Sequence, residues 1–418
     1  MRTPEKTADV IVLGAGMVGV CSALALQKKG LQVTLVDGND AGSETSFGNA
    51  GIITPSSLIP FNNPKLFKSL PSFLANKSNG FRYSLPYALS EIATLVHFMT
   101  FAKKRSTEQR IHHLYQLIER SGELHKVQSD AANCSDQLRP SGWLKLYRSE
   151  QSWQGAKYEQ DIYDQYNIQT RELGTAQIAE FEPNLQNIYY RGSHIEQALS
   201  VASPGGLVKA YVSHYHSLGG VFLKQFVDQV SQQGEQWQLK LRNGETLTSP
   251  KLVLAAGPWS KQLSTDLGIK LPMLFERGGH REYHSDQQAL ISSPIHDVDG
   301  SFVATPIENG IRLSCGVELN HQMADHSNTQ LDIVERNARK GFSFAEQATS
   351  QWQGARPTMP DSMPVIGPSR LKGLWFNTGH QHIGFSTGPG SAEILAKSVL
   401  GEALTQDQQA FSPARFKL

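Results

Sequence analysis

The chain has 418 residues, 39% of them hydrophobic and 18% charged, which leaves room for roughly two to three domain-sized units with a substantial core. Its 39 Lys and Arg against 38 Asp and Glu give a net charge of +1, which excludes the broad positive field of a nucleic-acid-binding protein. The three cysteines, Cys21, Cys134 and Cys315, share no CxxC or metal-ligand spacing. That pattern argues against a disulfide scaffold or metal centre and for a reducing, cytoplasmic setting.

Met1 to Ala8 is short and polar, so no signal peptide is expected there. Asp9 to Gly19, DVIVLGAGMVG, is an apolar strand-like run that breaks into Gly14-x-Gly16-x-x-Gly19 and then a helix. Gly14 permits the tight turn, Gly16 lets backbone N–H groups approach a pyrophosphate, and Gly19 lets helix and sheet pack closely. Ala15, Met17 and Val18 fill the same turn, where a helix N-terminus supports phosphates. Asp37 closes the next apolar run and is suited to accept hydrogen bonds from an adenosine ribose. The small, polar segment Thr45, Ser46, Phe47, Gly48, Asn49, Ala50, Gly51, Ile52 follows, as expected where the chain meets a second phosphate and an isoalloxazine edge. A nicotinamide-binding domain has no evident need for it.

From Leu58 to about Glu172 the chain reads as mainly helical, with His112 to Asp130 an amphipathic segment. Leu85, Leu89, Ile92, Val96 and Met99 recur at helical spacing and lead into Lys103, Lys104 and Arg105, with Phe61, Phe67, Phe73 and Phe81 nearby. Two readings fit: a core-facing helix with a solvated basic end, or a helix resting on an anionic membrane surface. No uninterrupted apolar run approaches the roughly 20 residues of a spanning helix.

Farther on, Asn243-Gly244 reads as a hairpin turn, and Lys251 to Ser260, KLVLAAGPWS, as a strand entering a glycine turn. Leu271 to Cys315 contains strand-like runs, SFVATPI and GIRLSCGVEL, that suggest an antiparallel sheet roofing the cofactor. Period-two alternation places His280 and His284 on one face and Tyr283 on the other. In Met359-Pro360-Asp361-Ser362-Met363-Pro364 a turn role is enough for Asp361. Trp375 to Gly390, WFNTGHQHIGFSTGPG, is dense in Gly, His and hydroxyls, with a helix expected from Ser391.

These pieces, VIVLGAGMVG, ETSFGNAGI, VLAAGPWS, WQGARPTMPDSMPVIG and NTGHQHIGFSTGPG, carry a resemblance across almost the whole chain to the D-amino acid oxidase superfamily of FAD enzymes, most closely to bacterial D-amino acid dehydrogenases. One departure is Arg277-Gly278-Gly279-His280, where relatives commonly carry an aromatic residue after Arg-Gly. The fold expected is α/β: a Rossmann-type FAD-binding domain interleaved with an α+β substrate domain that holds an antiparallel sheet. The FAD-binding domain is expected to be discontinuous, 1–57, 173–260 and 351–418, and the substrate domain 58–172 and 261–350.

The resemblance places a carboxylate-binding arginine at Arg356, whose guanidinium presents two parallel donors; the bland alternative is a structural salt bridge. His380 and His382 are expected beside the flavin as positioning residues, and for His280 two readings stand, a lining of the substrate cavity or a purely structural role. The candidate cofactor contacts are Gly14, Ala15, Gly16, Met17, Val18, Gly19, Asp37, Thr45, Ser46, Asn49, Gly51, Ile52, Val227, Ala256, Gly257, Trp259, Gly379, Gly384, Phe385, Ser386 and Thr387. FAD is expected to be non-covalent, since no cysteine falls in the C-terminal cofactor region, and no metal site is expected.

The activity implied is oxidative deamination of a D-amino acid or a cyclic imino acid such as a D-proline derivative, by hydride transfer to flavin N5, with electrons passed to a quinone or other carrier. An oxygen-using oxidase of glycine or sarcosine type, or a non-catalytic flavin-binding regulatory module, are the alternatives. Peripheral contact with the inner face of the cell membrane belongs with the quinone reading.

Overall fold

The computed structural model describes residues 8–67, 75–76, 78–284 and 290–418; Phe73 lies outside them. The strand Val10–Leu13 sits inside a six-stranded sheet. The order is Val365–Pro368, Leu374–Thr378, Leu252–Leu254, Val10–Leu13, Val33–Asp37, Val221–Lys224. All neighbours are parallel except Val365–Pro368, which runs antiparallel at one edge. Parallel strands are covered on both faces and therefore read as unbroken apolar runs. Val10, Val12 and Val253 join one core with Leu24, Leu207 and Leu395 of the helices Met17–Lys28, Pro204–Ser217 and Gly384–Leu400. Ile11, Leu13, Leu252 and Leu254 face the other way, onto Trp237 and Leu239.

Those two residues come from a three-stranded antiparallel sheet, Val227–Gln233, Gln236–Leu241 and Thr246–Ser249. Gly244 makes its second turn at φ +89°, as the Asn-Gly pair suggests. The strand order of the larger sheet reverses beside Val10–Leu13, so a crevice opens at the carboxyl ends of Val10–Leu13 and Leu252–Leu254, the place where open α/β sheets bind ligands.

A ten-stranded sheet forms the rest of the frame. Its long strand Leu274–His284 pairs antiparallel with Gly310–Ser314, Val317–Leu319 and Ser350–Thr358. The sheet is mixed rather than wholly antiparallel, because Ile295–Asp297 runs parallel to Trp143–Tyr147 and Val317–Leu319 parallel to Phe81–Tyr83. Two expected boundaries fall inside its strands. Thr170–Gly174 spans the 172/173 junction and pairs with Arg191–Ile195, which also pairs with Trp143–Tyr147, so 173–195 includes the end of one strand of this sheet and the whole of another. Ser350–Thr358 likewise carries 351–358 into it, with Glu276 opposite Arg356 in the ladder. RGSHI and SQWQGARPT lack clear alternation, which is why these pairings are not legible locally.

The described part of 58–172 is largely helical, including Leu85–Ser90, Ile92–Thr100 and Lys104–Ala131, with the strands Phe81–Tyr83 and Trp143–Tyr147 before and after them. The last cofactor-side helix starts at Gly384, seven residues before Ser391 where the sequence suggests it begins. The glycines and Pro389 disguise it. Pro389 has no N–H to give the Phe385 carbonyl one turn back, and His125 Nε2 bonds that carbonyl instead at 2.9 Å.

Candidate active site

A cleft of ≈ 600 Å³ runs from the carboxyl ends of the parallel strands to the underside of the mixed sheet. The fingerprint glycines divide their roles sterically. A Cβ on Gly14 would lie 2.5 Å from the Ala255 carbonyl oxygen, and one on Gly19 would lie 1.8 Å from the Gly14 oxygen. Both are therefore fixed by close packing of turn, helix and sheet. A Cβ on Gly16 would meet only the Ser46 hydroxyl, at 3.1 Å, and Gly16 otherwise borders the cleft. That is the cradle a pyrophosphate needs, at the N-terminus of Met17–Lys28. Ser46 Oγ accepts a hydrogen bond from the Met17 N–H at 2.9 Å, so a hydroxyl already marks the oxygen-accepting position.

Asp37 lies on the cleft and holds the turn, accepting from Ala15 N–H at 2.7 Å and Asn39 N–H at 2.9 Å. Burial raises its pKa, and the backbone donors pull the other way. Thr45, Asn49 and Ile52 border the cleft, while Gly51 sits behind them at φ +72°. This loop is fastened by a residue the motifs do not reveal: Arg312, 3% exposed, donates to the carbonyls of Phe47 at 2.9 Å and Asn49 at 2.7 Å. Glu282 holds the same guanidinium at 2.6 Å.

Met17, Val18, Val227, Ala256, Gly257, Trp259, Gly379, Gly384, Phe385 and Ser386 also border the cleft. Ala15, Gly19 and Thr387 stand behind it as packing or hydrogen-bonding support. The cleft fits an extended dinucleotide with a flavin: glycine cradle and ribose-side acid at one end, a helix N-terminus at Gly384 at the other.

Arg356 borders the cleft beneath the mixed sheet, and no hydrogen bond or ion pair to its guanidinium occurs among the described residues. Its guanidinium lies against Gly278, where a Cβ would come within 2.5 Å of both terminal nitrogens. Glu276, opposite Arg356 in the ladder and 4% exposed, has its pKa raised by burial, which the guanidinium opposes. Gly278, the glycine of the Arg277-Gly278 pair, thus makes room for the arginine, whereas at Gly279, where the departure from the relatives falls, a Cβ would meet the Trp352 carbonyl oxygen at 2.6 Å. His382 is exposed to the cleft, and surrounding protein bulk and Arg356 bring its pKa down to about 4.

His380 borders the cleft too, but its ring is already engaged. Nε2 is 2.9 Å from Asn377 Oδ1 and Nδ1 is 2.9 Å from Thr387 Oγ1. The Asn377 amide nitrogen donates to Ser22 and Ser391, so Oδ1 is the acceptor and the neutral ring carries its proton on Nε2. Burial holds its pKa down to about 3. His380 rivets the loop to the strand Leu374–Thr378 and the helix Gly384–Leu400.

His280 does not border the cleft. It is fully buried between Phe47, 5.5 Å away, and Trp352, 5.7 Å away, with its pKa brought down to about 3 by burial. His284 lies exposed at the end of the same strand. The cleft is completed by Trp143 and, from the SFVATPI and GIRLSCGVEL runs expected to roof it, by Val303, Ser314 and Cys315. Cys315 accepts from Gly279 N–H at 3.2 Å, and burial raises its thiol pKa. Among the described residues no group of three or more His, Cys, Asp or Glu is placed to hold a metal ion.

A family model described as DAO, FAD dependent oxidoreductase, matches residues 9–398. The chain is similar to D-amino-acid oxidase of Bradyrhizobium diazoefficiens, at 25% identity over 97% of this chain and 98% of that protein. It is also similar to D-amino acid dehydrogenase of Neisseria gonorrhoeae, at 26% identity over 94% and 96%. Its fold is that of L-proline dehydrogenase from P. horikoshii, with a TM-score of 0.76, 18% identity and 99% of each chain covered. Glycine oxidase from Geobacillus kaustophilus gives a TM-score of 0.74 at 18% identity, covering 97% and 98%.

Proposed function

Because the chain belongs to the DAO family of FAD dependent oxidoreductases, we propose that it oxidises the Cα–N bond of a D-amino acid or a cyclic imino acid, such as a D-proline derivative. The observation that carries this reading is Arg356, a guanidinium on the cleft with no protein hydrogen-bond partner among the described residues. Its two terminal nitrogens suit the two oxygens of a substrate carboxylate. Holding that carboxylate fixes the Cα–H bond relative to the cofactor and leaves the amine free to push electrons as the hydride departs. When bound, FAD supplies the two-electron sink.

The amine must be uncharged for its lone pair to assist. The Arg356 cation and the partly desolvated cleft disfavour a second positive charge, and His382 stays neutral in the same surroundings. His380, with both ring nitrogens engaged, positions the Gly384 helix and takes no proton in the reaction. FAD is held non-covalently in this reading, since the Cys315 thiol is kept protonated by burial. Imine product hydrolyses in water to the keto acid and ammonia, or remains cyclic when the substrate is an imino acid.

Electrons pass to a quinone or another carrier, in the cytoplasm at the inner face of the cell membrane. The similarity to a D-amino-acid oxidase makes oxygen the competing acceptor. Turnover is expected to be much faster with a quinone analogue or artificial dye than with air. Peroxide formed at air saturation as fast as the dye is reduced would assign an oxidase.

A further inference from the structure

The helices Leu85–Ser90 and Ile92–Thr100 are apolar on both sides. Their inner side is satisfied: Tyr87 is 1% exposed, and Phe98, Leu95 and Met99 pack with Leu66, Ala102 and Leu274. An ordinary surface helix would then turn charged residues outward. Here the outward positions are Leu85, Leu89, Ile92 and Val96, exposed by 59%, 63%, 56% and 58%, at successive spacings of four, three and four. The other exposed positions of the two helices are Pro86, Ser90, Ala93, His97 and Thr100, so no Lys, Arg, Asp or Glu interrupts the face. Glu91 between the helices is turned into an ion pair with Lys261 at 2.5 Å. Directly after the apolar face come Lys103, Lys104 and Arg105, all exposed.

We propose that this face docks on an anionic lipid surface, with the leucine–isoleucine–valine stripe in the headgroup–acyl boundary and the basic triplet on acidic headgroups. An apolar face bordered by a cationic cluster matches both components of such a surface, its acyl chains and its acidic headgroups. No helix among the described residues is long and apolar enough to cross a membrane, so the contact is peripheral. The position also serves a membrane-dissolved electron acceptor. Lys261, the partner of Glu91, belongs to the helix Ser260–Asp266, whose Gln262, Leu263 and Asp266 border the cleft, and Trp259 at its start is 39% exposed. This link to the acceptor rests on the quinone reading above; the docking face stands on its own exposure.

The test is co-sedimentation of the FAD-loaded protein with phosphatidylcholine vesicles, with and without phosphatidylglycerol, at low and high salt. Binding is expected to the anionic vesicles, weakening with salt. The triple change Lys103→Gln, Lys104→Gln, Arg105→Gln should weaken it on the order of 100-fold. The double change Leu89→Glu, Ile92→Glu should abolish sedimentation; both side chains are more than half exposed, so dye-coupled turnover in solution should persist and certify the fold. Wild-type protein left in the supernatant with both vesicle types, or variants that sediment like wild type, would overturn the proposal. So would a solution dimer that Ile92→Glu splits without any vesicle binding. Amine-driven loss of flavin absorbance in lipid-free buffer tests the chemistry separately, so loss of docking and loss of the proposed reaction are distinguishable.

Discussion

Arg356→Lys is expected to lower kcat/KM by about 10- to 100-fold while FAD remains bound, the loss of a charge-assisted, two-point contact worth about 1.5–3 kcal/mol. Lysine keeps the charge but replaces a planar fork with a single point donor. Gly278→Ala should act on the same contact from the opposite side of the guanidinium, because its Cβ would lie 2.5 Å from both terminal nitrogens and has to displace them. The two variants together separate clamp from cofactor: steady-state kinetics should fall in each, and the flavin-to-protein ratio should stay near that of wild type. Wild-type kinetics in Arg356→Lys would move the clamp to another residue.

A large loss of stability is expected in mild acid. His125, His280 and His380 are buried and neutral, with pKa values brought down by burial from the usual 6.5 to about 4, 3 and 3. The unfolded chain takes up these protons near pH 6.5, whereas the folded chain takes them up only near 4 or below. Their stabilising effect is therefore complete above pH 6.5 and is lost as pH falls through the window from 6.5 to about 3 or 4. Each histidine forfeits about 1.4 kcal/mol per pH unit within that window. Glu276 and Asp297, carboxyls whose pKa values burial raises, act in the opposite sense. The net fall by pH 5 is expected to be roughly 3–6 kcal/mol, a large share of a typical folding free energy. Thermal melts of the FAD-loaded protein between pH 7.5 and 5 should show Tm dropping steeply with release of flavin. A flat Tm across that range would contradict the assignment of these histidines as neutral buried groups.

The dinucleotide end of the cleft was legible in the sequence because its requirements are local. Gly19 is forced by the Gly14 carbonyl within the strand–turn–helix unit, Gly14 by its own φ of +112° as well as by the distant Ala255 carbonyl, and Asp37 follows from the end of the next strand. Toward the mixed sheet the sequence pointed to Arg356 and His382, both of which border the cleft. The Arg356 neighbours Gly278 and Glu276 meet it through the register of Leu274–His284 against Ser350–Thr358, which no local pattern encodes. His280 illustrates the limit: alternation correctly gave it a different face from Tyr283, but only the rings of Phe47 and Trp352 decide that it is sealed away from the cleft. The early start of the Gly384 helix was hidden because Pro389 reads as a breaker. His125, more than 250 residues earlier in the chain, supplies the hydrogen bond that makes a proline tolerable there. Val303, Ser314 and Cys315 come from runs that read as a roofing sheet, whereas Trp143 reaches the cleft by sheet topology alone.

The most direct test of the proposed chemistry is anaerobic titration of the FAD-loaded protein with a panel of D- and L-amino acids, cyclic imino acids and matched amines that lack the carboxylate. At least one small D-amino acid or cyclic imino acid should bleach the flavin absorbance in a single fast phase, and its decarboxylated analogue should leave the spectrum unchanged at the same concentration. A flavin that no member of the panel bleaches would contradict amino-acid oxidation and leave a non-catalytic flavin-binding module; equal bleaching by the decarboxylated amine would contradict the role given to Arg356.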